Sequence, residues 1–274
     1  MEQTLQILHP AHCPQAPIRA VLLDFDGTIS TLRCGWEAVM REVMVEFISQ
    51  CSLKEAPREL IDQVDAYIES STGIQTAYQM EWLKTQVDAR YPQYAYRDIW
   101  WYKDEYNRRL MRQVSQRLER LEAGKEAPSQ YQIAGSEAFL KALREEGVRL
   151  FLASGTDHAD VLREVQALGV DSFFEQIKGA PERAIACSKE FVIRQLLEEQ
   201  KIPGQELVLI GDGKVEIALG AQNGTYTLGM ATDEVHRRGL QPEKARRLVQ
   251  AGADALAGDF SDLKTLAEWM RLAL

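Results

Sequence analysis

Ala20-Val21-Leu22-Leu23-Asp24-Phe25-Asp26-Gly27-Thr28 is a short apolar run that ends in two carboxylates one residue apart, followed by Gly and Thr. An unbroken apolar run bounded by turn residues suits a strand buried on both faces, as in a parallel sheet. On extended backbone, residues two apart point to one side, so Asp24 and Asp26 share a face. Two acids at the carboxyl end of a central strand cost free energy unless a cation or donors meet them. Ligand sites of open α/β sheets lie beyond those strand ends. Taken alone, the stretch reads equally well as a capping Asp and an Asp-Gly turn. The rest of the chain decides between the two.

The chain has 274 residues, 45% of them apolar and 27% charged, which is ordinary globular composition with room for a core domain and a smaller one. A net charge of -9 argues against a nucleic-acid surface, which calls for basic patches, but not against a small phosphorylated ligand. Cys13, Cys34, Cys51 and Cys187 are scattered without a CxxC pair, so neither a disulfide framework nor a zinc knot is expected, and a cytoplasmic setting fits. No run approaches the ~18 apolar residues of a membrane span. Met1 to Ala16 lacks the layout of a signal peptide and reads as a solvated end, with His9, His12 and Cys13 frayed rather than gathered on a metal.

After the opening strand, helical periodicity takes over. Trp36, Val39, Met40, Val43, Met44, Phe47 and Ile48 recur at three- and four-residue steps; Leu60, Ile61, Val64, Tyr67 and Ile68 form a second stripe. Met80, Leu83 and Val87 suggest a third helix, ended before Pro92, and Leu110, Val114, Leu118 and Leu121 a fourth after an aromatic segment from Tyr91 to Tyr106. Those aromatics read as helix–helix core. With no strand signal between Ile29 and Gln130, residues 31–130 read as an inserted helical domain, and residues 1–30 with 131–274 as an α/β core.

From Gly135 the texture alternates. Ser136 to Glu146 is a helix; Val148 to Ala153 a strand that stops at Ser154-Gly155-Thr156; Asp157 to Leu168 a helix; Phe173 to Lys178 a short strand. Ser188 is placed to cap a helix over Lys189 to Gln200, and Leu207 to Ile210 is a strand running into Gly211-Asp212-Gly213. Tyr226 to Met230 and Ala253 to Ala257 are further strands, and Ser261 opens a terminal helix. The alternation predicts a doubly wound, mainly parallel sheet.

Polar residues thus stand at three strand ends: Asp24 with Asp26, Ser154 with Gly155, and Asp212 with Glu216 four residues on; Lys189 stands at a helix start. On one rim they offer acids for a hard cation, a hydroxyl and N–H groups for an anion, and an ammonium. The set and its order resemble the haloacid dehalogenase-like (HAD) hydrolase superfamily, over all but the first ~15 residues, and four weak motifs in order make a strong one. The resemblance implies a Rossmann-like core with a helical cap between the first and second motifs. It implies Asp24 as nucleophile through an aspartyl-phosphate, and Asp26 as the acid that protonates the leaving oxygen and then deprotonates water. It implies Mg²⁺ held by the Asp24 side chain, the Asp26 carbonyl and the Asp212 side chain. Ser154, Gly155 and Lys189 would hold the phosphoryl oxygens.

Other readings stay open at single positions. Ser154 alone could cap the next helix, and Lys178 competes with Lys189 for the phosphate. Glu216 departs from a common Asp and is left outside the metal's direct ligands. His158 and His236 read as surface residues. Arg33, just after the first motif, and the break Ser71-Thr72-Gly73-Ile74-Gln75-Thr76 are candidate substrate contacts, Arg33 and Gln75 first among them.

The expected function is a Mg²⁺-dependent phosphatase of a small phosphorylated metabolite, a sugar phosphate before a nucleotide, with no nucleic-acid or membrane partner and an open oligomeric state. Asp26 argues against a dehalogenase, which needs no leaving-group acid. A phosphonate hydrolase would need a Schiff-base lysine from the cap, and nothing in the sequence marks Lys54, Lys84 or Lys103 as desolvated. A phosphomutase of the β-phosphoglucomutase type would use the same groups, and a non-catalytic binding protein on the same fold is a third reading.

Overall fold

The computed structural model describes residues 5–185 and 188–273; Cys187, and the Ser188 side chain expected as a cap, lie outside what it describes. The strands are β1 (Leu5–Ile7), β2 (Ala20–Leu23), β3 (Arg149–Asp157), β4 (Gln176–Ala180), β5 (Leu207–Gly211), β6 (Tyr226–Met230) and β7 (Ala255–Ala257). They form one sheet in the order β1-β7-β6-β5-β2-β3-β4, parallel throughout except where β1 lies antiparallel on β7.

β2 is the hub. Its side chains are almost wholly buried, and they alternate between two cores: Val21 and Leu23 join the larger cluster, Ala20 and Leu22 a second one with Val192, Ile193 and Leu196. A strand covered on both faces has no polar face to present, which is why the run reads as continuously apolar. Leu23 is paired with Leu152 of β3 on one side and Ile210 of β5 on the other. That register carries Asp24, Ser154 and Asp212 onto the same rim. The chain winds from β2 toward β4 and then returns to continue from β5 the other way, so the rim between β2 and β5 is the topological switch point.

Between β2 and β3 run α1 (Trp36–Ser49), α2 (Arg58–Ser70), α3 (Thr76–Arg90), α4 (Ile99–Glu122) and α5 (Ser136–Glu145). Met40, Val43, Met44, Ile48, Val64, Ile68, Met80, Leu83, Val87, Leu110, Val114 and Leu118 are buried, as their spacing predicts. Tyr67 stacks on Trp82 with centroids 4.0 Å apart; of the Tyr91–Tyr106 aromatics, Tyr102 packs helix on helix, meeting Phe47 edge-on, while Tyr96 is 75% exposed. They also enclose a cation, with the Arg97 guanidinium 4.3 Å from the Tyr94 ring and 4.4 Å from that of Trp101. The strands of chain that leave and re-enter the core are tied together, Thr31 N–H donating to the Tyr131 carbonyl and Ile133 N–H to that of Ile29.

The second half adds α6 (His158–Ala167), α7 (Ser188–Arg194), α8 (Lys214–Asn223), α9 (Pro242–Gln250) and α10 (Leu263–Trp269). Several expectations are corrected here. The first residues are not simply solvated: Leu5–Ile7 pair with β7, and His12 Nδ1 lies 2.7 Å from Asp254 Oδ1. β3 does not stop at Ser154 but continues to Asp157, its pairing with β4 resuming at Ala180 after an irregularity past Ala153. The helix after Ser188 is α-helical only to Arg194 and winds on as a π-helix over Gln195–Glu199. α9 was not anticipated, because its buried side chains are only Lys244 and Leu248, too thin a stripe to show as periodicity.

Candidate active site

One cavity at the β2/β5 switch point is lined by Asp24, Asp26, Ser154, Gly155, Lys189 and Asp212, and by Thr72, Gly73, Ile74, Thr76, Gln79, Lys103, Tyr106 and Asn107 from the helical block above. The expected rim residues therefore converge.

Asp24 is fixed by its own backbone: as β2 ends, its N–H still donates to the Ile210 carbonyl at 2.8 Å, so the side chain leaves the sheet in a defined direction. Burial pushes its carboxyl up to about 6, with Asp212 and Asp26 adding repulsion and Lys189 opposing. Lys189 Nζ stands 3.1 Å from Asp24 Oδ1 and ion-pairs with Glu216 as well. Lys178 is elsewhere, its ammonium 4.9 Å from the centre of the Phe191 ring. Glu216, kept outside the metal's ligands in the sequence reading, is buried against Lys189.

Asp26 has two unlike oxygens. Oδ2 accepts from the Thr156 hydroxyl at 2.9 Å and the Ser154 hydroxyl at 3.3 Å. Oδ1 is buried and among the described residues has no hydrogen-bond partner, with Arg33 Nε 3.9 Å away. Burial holds this carboxyl above the usual range, against the pull of Arg33. Thr156 was missed in the sequence although it stands two residues past Ser154 on a strand, the spacing that shares a face.

Arg33 is committed inward. Its Nη2 lies 2.6 Å from Glu164 Oε1 and 3.0 Å from Asp160 Oδ2, both on α6. Glu164 is completely buried, and burial lifts its carboxyl to about 7 against the attraction of Arg33. Gln75 turns toward the core and donates to the Ala184 carbonyl at 2.9 Å. Arg33 nevertheless lines the same cavity as Asp24 and Asp26, whereas Gln75 is not among the residues that line it. Lys103 of α4, which nothing in the sequence marks as desolvated, is buried in the cavity wall and ion-pairs with Asp157, which also accepts from Asn107. His158 and His236 are exposed, as expected.

Asp212 comes close to the first motif because Gly27 lets it. A Cβ at residue 27 would fall 2.2 Å from Asp212 Oδ2, and the backbone there has φ +72°, a left-handed turn that glycine adopts without penalty. A second close approach seals the cavity: the Cα of Gly73, in the loop before α3, would be 3.0 Å from a Cβ at Gly213. On its outer side Asp212 meets Lys244 of α9, 2.8 Å from Oδ2.

Among the described residues no group of three or more His, Cys, Asp or Glu side chains forms a ready-made metal cage. A hard cation that keeps most of its water needs less: one or two carboxylates and a carbonyl suffice. Asp24, Asp212 and the Asp26 carbonyl are such a donor set, and the repulsion between Asp24 and Asp212 is the kind a cation relieves. The residues fit the ion.

The chain belongs to the haloacid dehalogenase-like hydrolases, whose family model matches residues 18–224. Its fold is similar to that of a phosphonoacetaldehyde hydrolase-like protein from Oleispira antarctica (TM-score 0.61, 14% identity, 97% of each chain covered). It is also similar to a predicted phosphoglycolate phosphatase from Haemophilus somnus 129PT (TM-score 0.59, 13% identity, 92% of this chain and 99% of the other). A third is a HAD family hydrolase from Deinococcus radiodurans R1 with bound phosphate and sodium (TM-score 0.54, 19% identity, 94% and 99%). No curated protein matches the sequence. Among the described residues no helix is long and apolar enough to cross a membrane.

Proposed function

We propose that the protein is a Mg²⁺-dependent phosphatase of a small phosphorylated metabolite, working through an aspartyl-phosphate on Asp24, with a core at 1–30 and 131–274, a helical cap at 31–130 and a cytoplasmic location. The observation that carries this reading is the convergence of Asp24, Asp26, Ser154, Lys189 and Asp212 on one cavity. When bound, Mg²⁺ offsets the repulsion between an anionic nucleophile and an anionic phosphate; Asp24, Asp212 and the Asp26 carbonyl would hold it.

An Asp24 oxygen attacks phosphorus and the bond to the leaving oxygen breaks, with the proton of Asp26 passing to that oxygen. Oδ1 suits this role, since Thr156 and Ser154 secure only the other oxygen. Water then attacks the acyl phosphate, Asp26 takes its proton, and phosphate and the free Asp24 carboxylate result. Lys189, the Ser154 hydroxyl and the Gly155 N–H hold the phosphoryl oxygens as charge redistributes.

The leaving group faces Thr72, Thr76, Gln79, Asn107 and Lys103, beside Tyr106 and Trp36. Hydroxyls, amides and aromatic rings together favour a polyhydroxylated group, so a sugar phosphate is the preferred substrate. Hydrolysis of an aryl phosphate with and without Mg²⁺, by wild type and Asp24→Asn, tests the core of the proposal. Equal rates for the two proteins would dispose of the nucleophile, and isomerisation of a sugar phosphate without phosphate release would make the protein a mutase.

A further inference from the structure

Asp212 has a partner that the family-matched residues 18–224 do not supply. Lys244 comes from α9, where Pro242 stands in the first turn and the Gln241 side chain caps the helix at the Lys244 N–H. It lies one turn before Leu248, the other buried residue of that helix, so it occupies a position where an apolar side chain would complete the stripe. Its ammonium bridges two acids, 2.8 Å from Asp212 Oδ2 and 2.8 Å from Glu234 Oε1, and the three side chains are only 10%, 12% and 16% exposed. Glu234 lines the same cavity as Asp24 and Asp212. Arg247 adds a weak contact to the Asp212 carbonyl at 3.4 Å, and Glu37 of α1 lies within electrostatic reach of Lys244 and Asp212.

A lone ammonium so buried would be costly, and the two carboxylates are what hold it there. A divalent ion on Asp212 and an ammonium on the same carboxylate repel each other at short range in a partly dry site. One of them must give way, and Glu234 is already in place to keep the ammonium.

We propose that Lys244 is a tethered counter-cation that competes with the divalent ion for Asp212, and that Glu234 is the carboxylate which retains the ammonium when Asp212 turns to the metal. This rests on the reading of Asp212 as a metal ligand. The chain then sets its own metal affinity through the division of Lys244 between two acids. The neighbouring substitutions should act in opposite directions. Without Lys244, Asp212 is free for the metal; without the charge of Glu234, the ammonium leans on Asp212 alone. A merely structural triad predicts weaker binding in both.

The test is calorimetric Mg²⁺ binding to the full-length wild type, Lys244→Met, Glu234→Gln and Asp212→Asn, paired with the rise in Tm that Mg²⁺ gives over EDTA. We expect binding about tenfold tighter in Lys244→Met and about tenfold weaker in Glu234→Gln, with the Tm increments in the same order. Should Lys244→Met fail to fold, Lys244→Gln takes its place, with tighter binding again expected. Binding in Lys244→Met no tighter than wild type, or in Glu234→Gln no weaker, overturns the proposal while loss of binding in Asp212→Asn leaves the metal site standing. If wild type and Asp212→Asn alike bind no Mg²⁺, the metal reading falls and this inference with it.

Discussion

The Lys189 ammonium joins Asp24, the proposed nucleophile, to the last motif, lying 3.1 Å from Asp24 Oδ1 while it ion-pairs with Glu216. All of these side chains are buried, so removing the lysine leaves two carboxylates without compensation. Lys189→Met should lower stability by roughly 3–5 kcal/mol and turnover by at least about 100-fold. Lys178→Met should cost less than about 1 kcal/mol, the worth of a cation over a ring, and leave turnover unchanged. Chemical denaturation and steady-state kinetics on the two variants check both halves.

Asp26 is expected to act twice, and the two acts separate with the leaving group. Asp26→Asn should lower hydrolysis of an alkyl phosphate by about 10²–10⁴-fold, the usual range for a lost acid–base group. With an aryl phosphate whose phenolate leaves unaided, the first step survives and the second does not. Rapid-mixing experiments should then show a burst of phenol equal to the enzyme concentration, and a linear time course without a burst would contradict the two-step assignment.

Arg33, a candidate substrate contact on the cavity wall, is held by Glu164 at 2.6 Å and by Asp160 at 3.0 Å. Glu164→Gln should destabilise the protein by about 3–5 kcal/mol, because a buried guanidinium loses its main counter-ion. The double variant Arg33→Met/Glu164→Leu should recover most of that loss. Denaturation midpoints decide the matter; a Glu164→Gln protein as stable as wild type would return Arg33 to the substrate.

Glu105 supplies a pH test away from the rim. Hydrogen bonds from Arg108 first, and from Arg109, hold its carboxyl down at about 2 although partial burial opposes them. A carboxyl lower in the folded than in the unfolded chain stabilises the fold above its unfolded value of 4.5, and that contribution disappears as pH falls toward 2. The Glu105 side chain is 18% exposed but its first partner Arg108 is 53% exposed, so solvent screening keeps the contribution below about 1 kcal/mol. Wild type should exceed Glu105→Gln in Tm at pH 7, and the gap should narrow as pH falls below 4.5 and close only near pH 2. A gap that widens in acid would refute the sign.

Much of the rim was legible in the sequence because acids and hydroxyls at the ends of apolar runs have few other uses, and parallel pairing in register brings such ends together. Asp24, Ser154 and Asp212 needed only that rule. Glu164 needed closer counting: it falls three residues after Val161 and one before Val165, inside the buried stripe of α6, although the Arg163 beside it is charged and half-exposed. Lys244 was hidden more thoroughly. In a stretch reading Pro-Glu-Lys-Ala-Arg-Arg, a lysine looks solvated, and only the arrival of Asp212 and Glu234 from other elements makes its burial favourable. The strand at Leu5–Ile7 escaped because three residues give too short an alternation to stand out.

That small strand matters for how molecules behave toward one another. By lying antiparallel along Ala255–Ala257, it occupies the outer hydrogen-bonding row of an alanine-rich strand, and His12 pins the following turn to Asp254. Left bare, such a row is a template on which a second copy can stitch its own backbone. Leu5–Ile7 therefore acts as a selvedge three residues long, the kind of very short border that offers a neighbouring copy little to join, while the cavity lies in mid-sheet between β2 and β5.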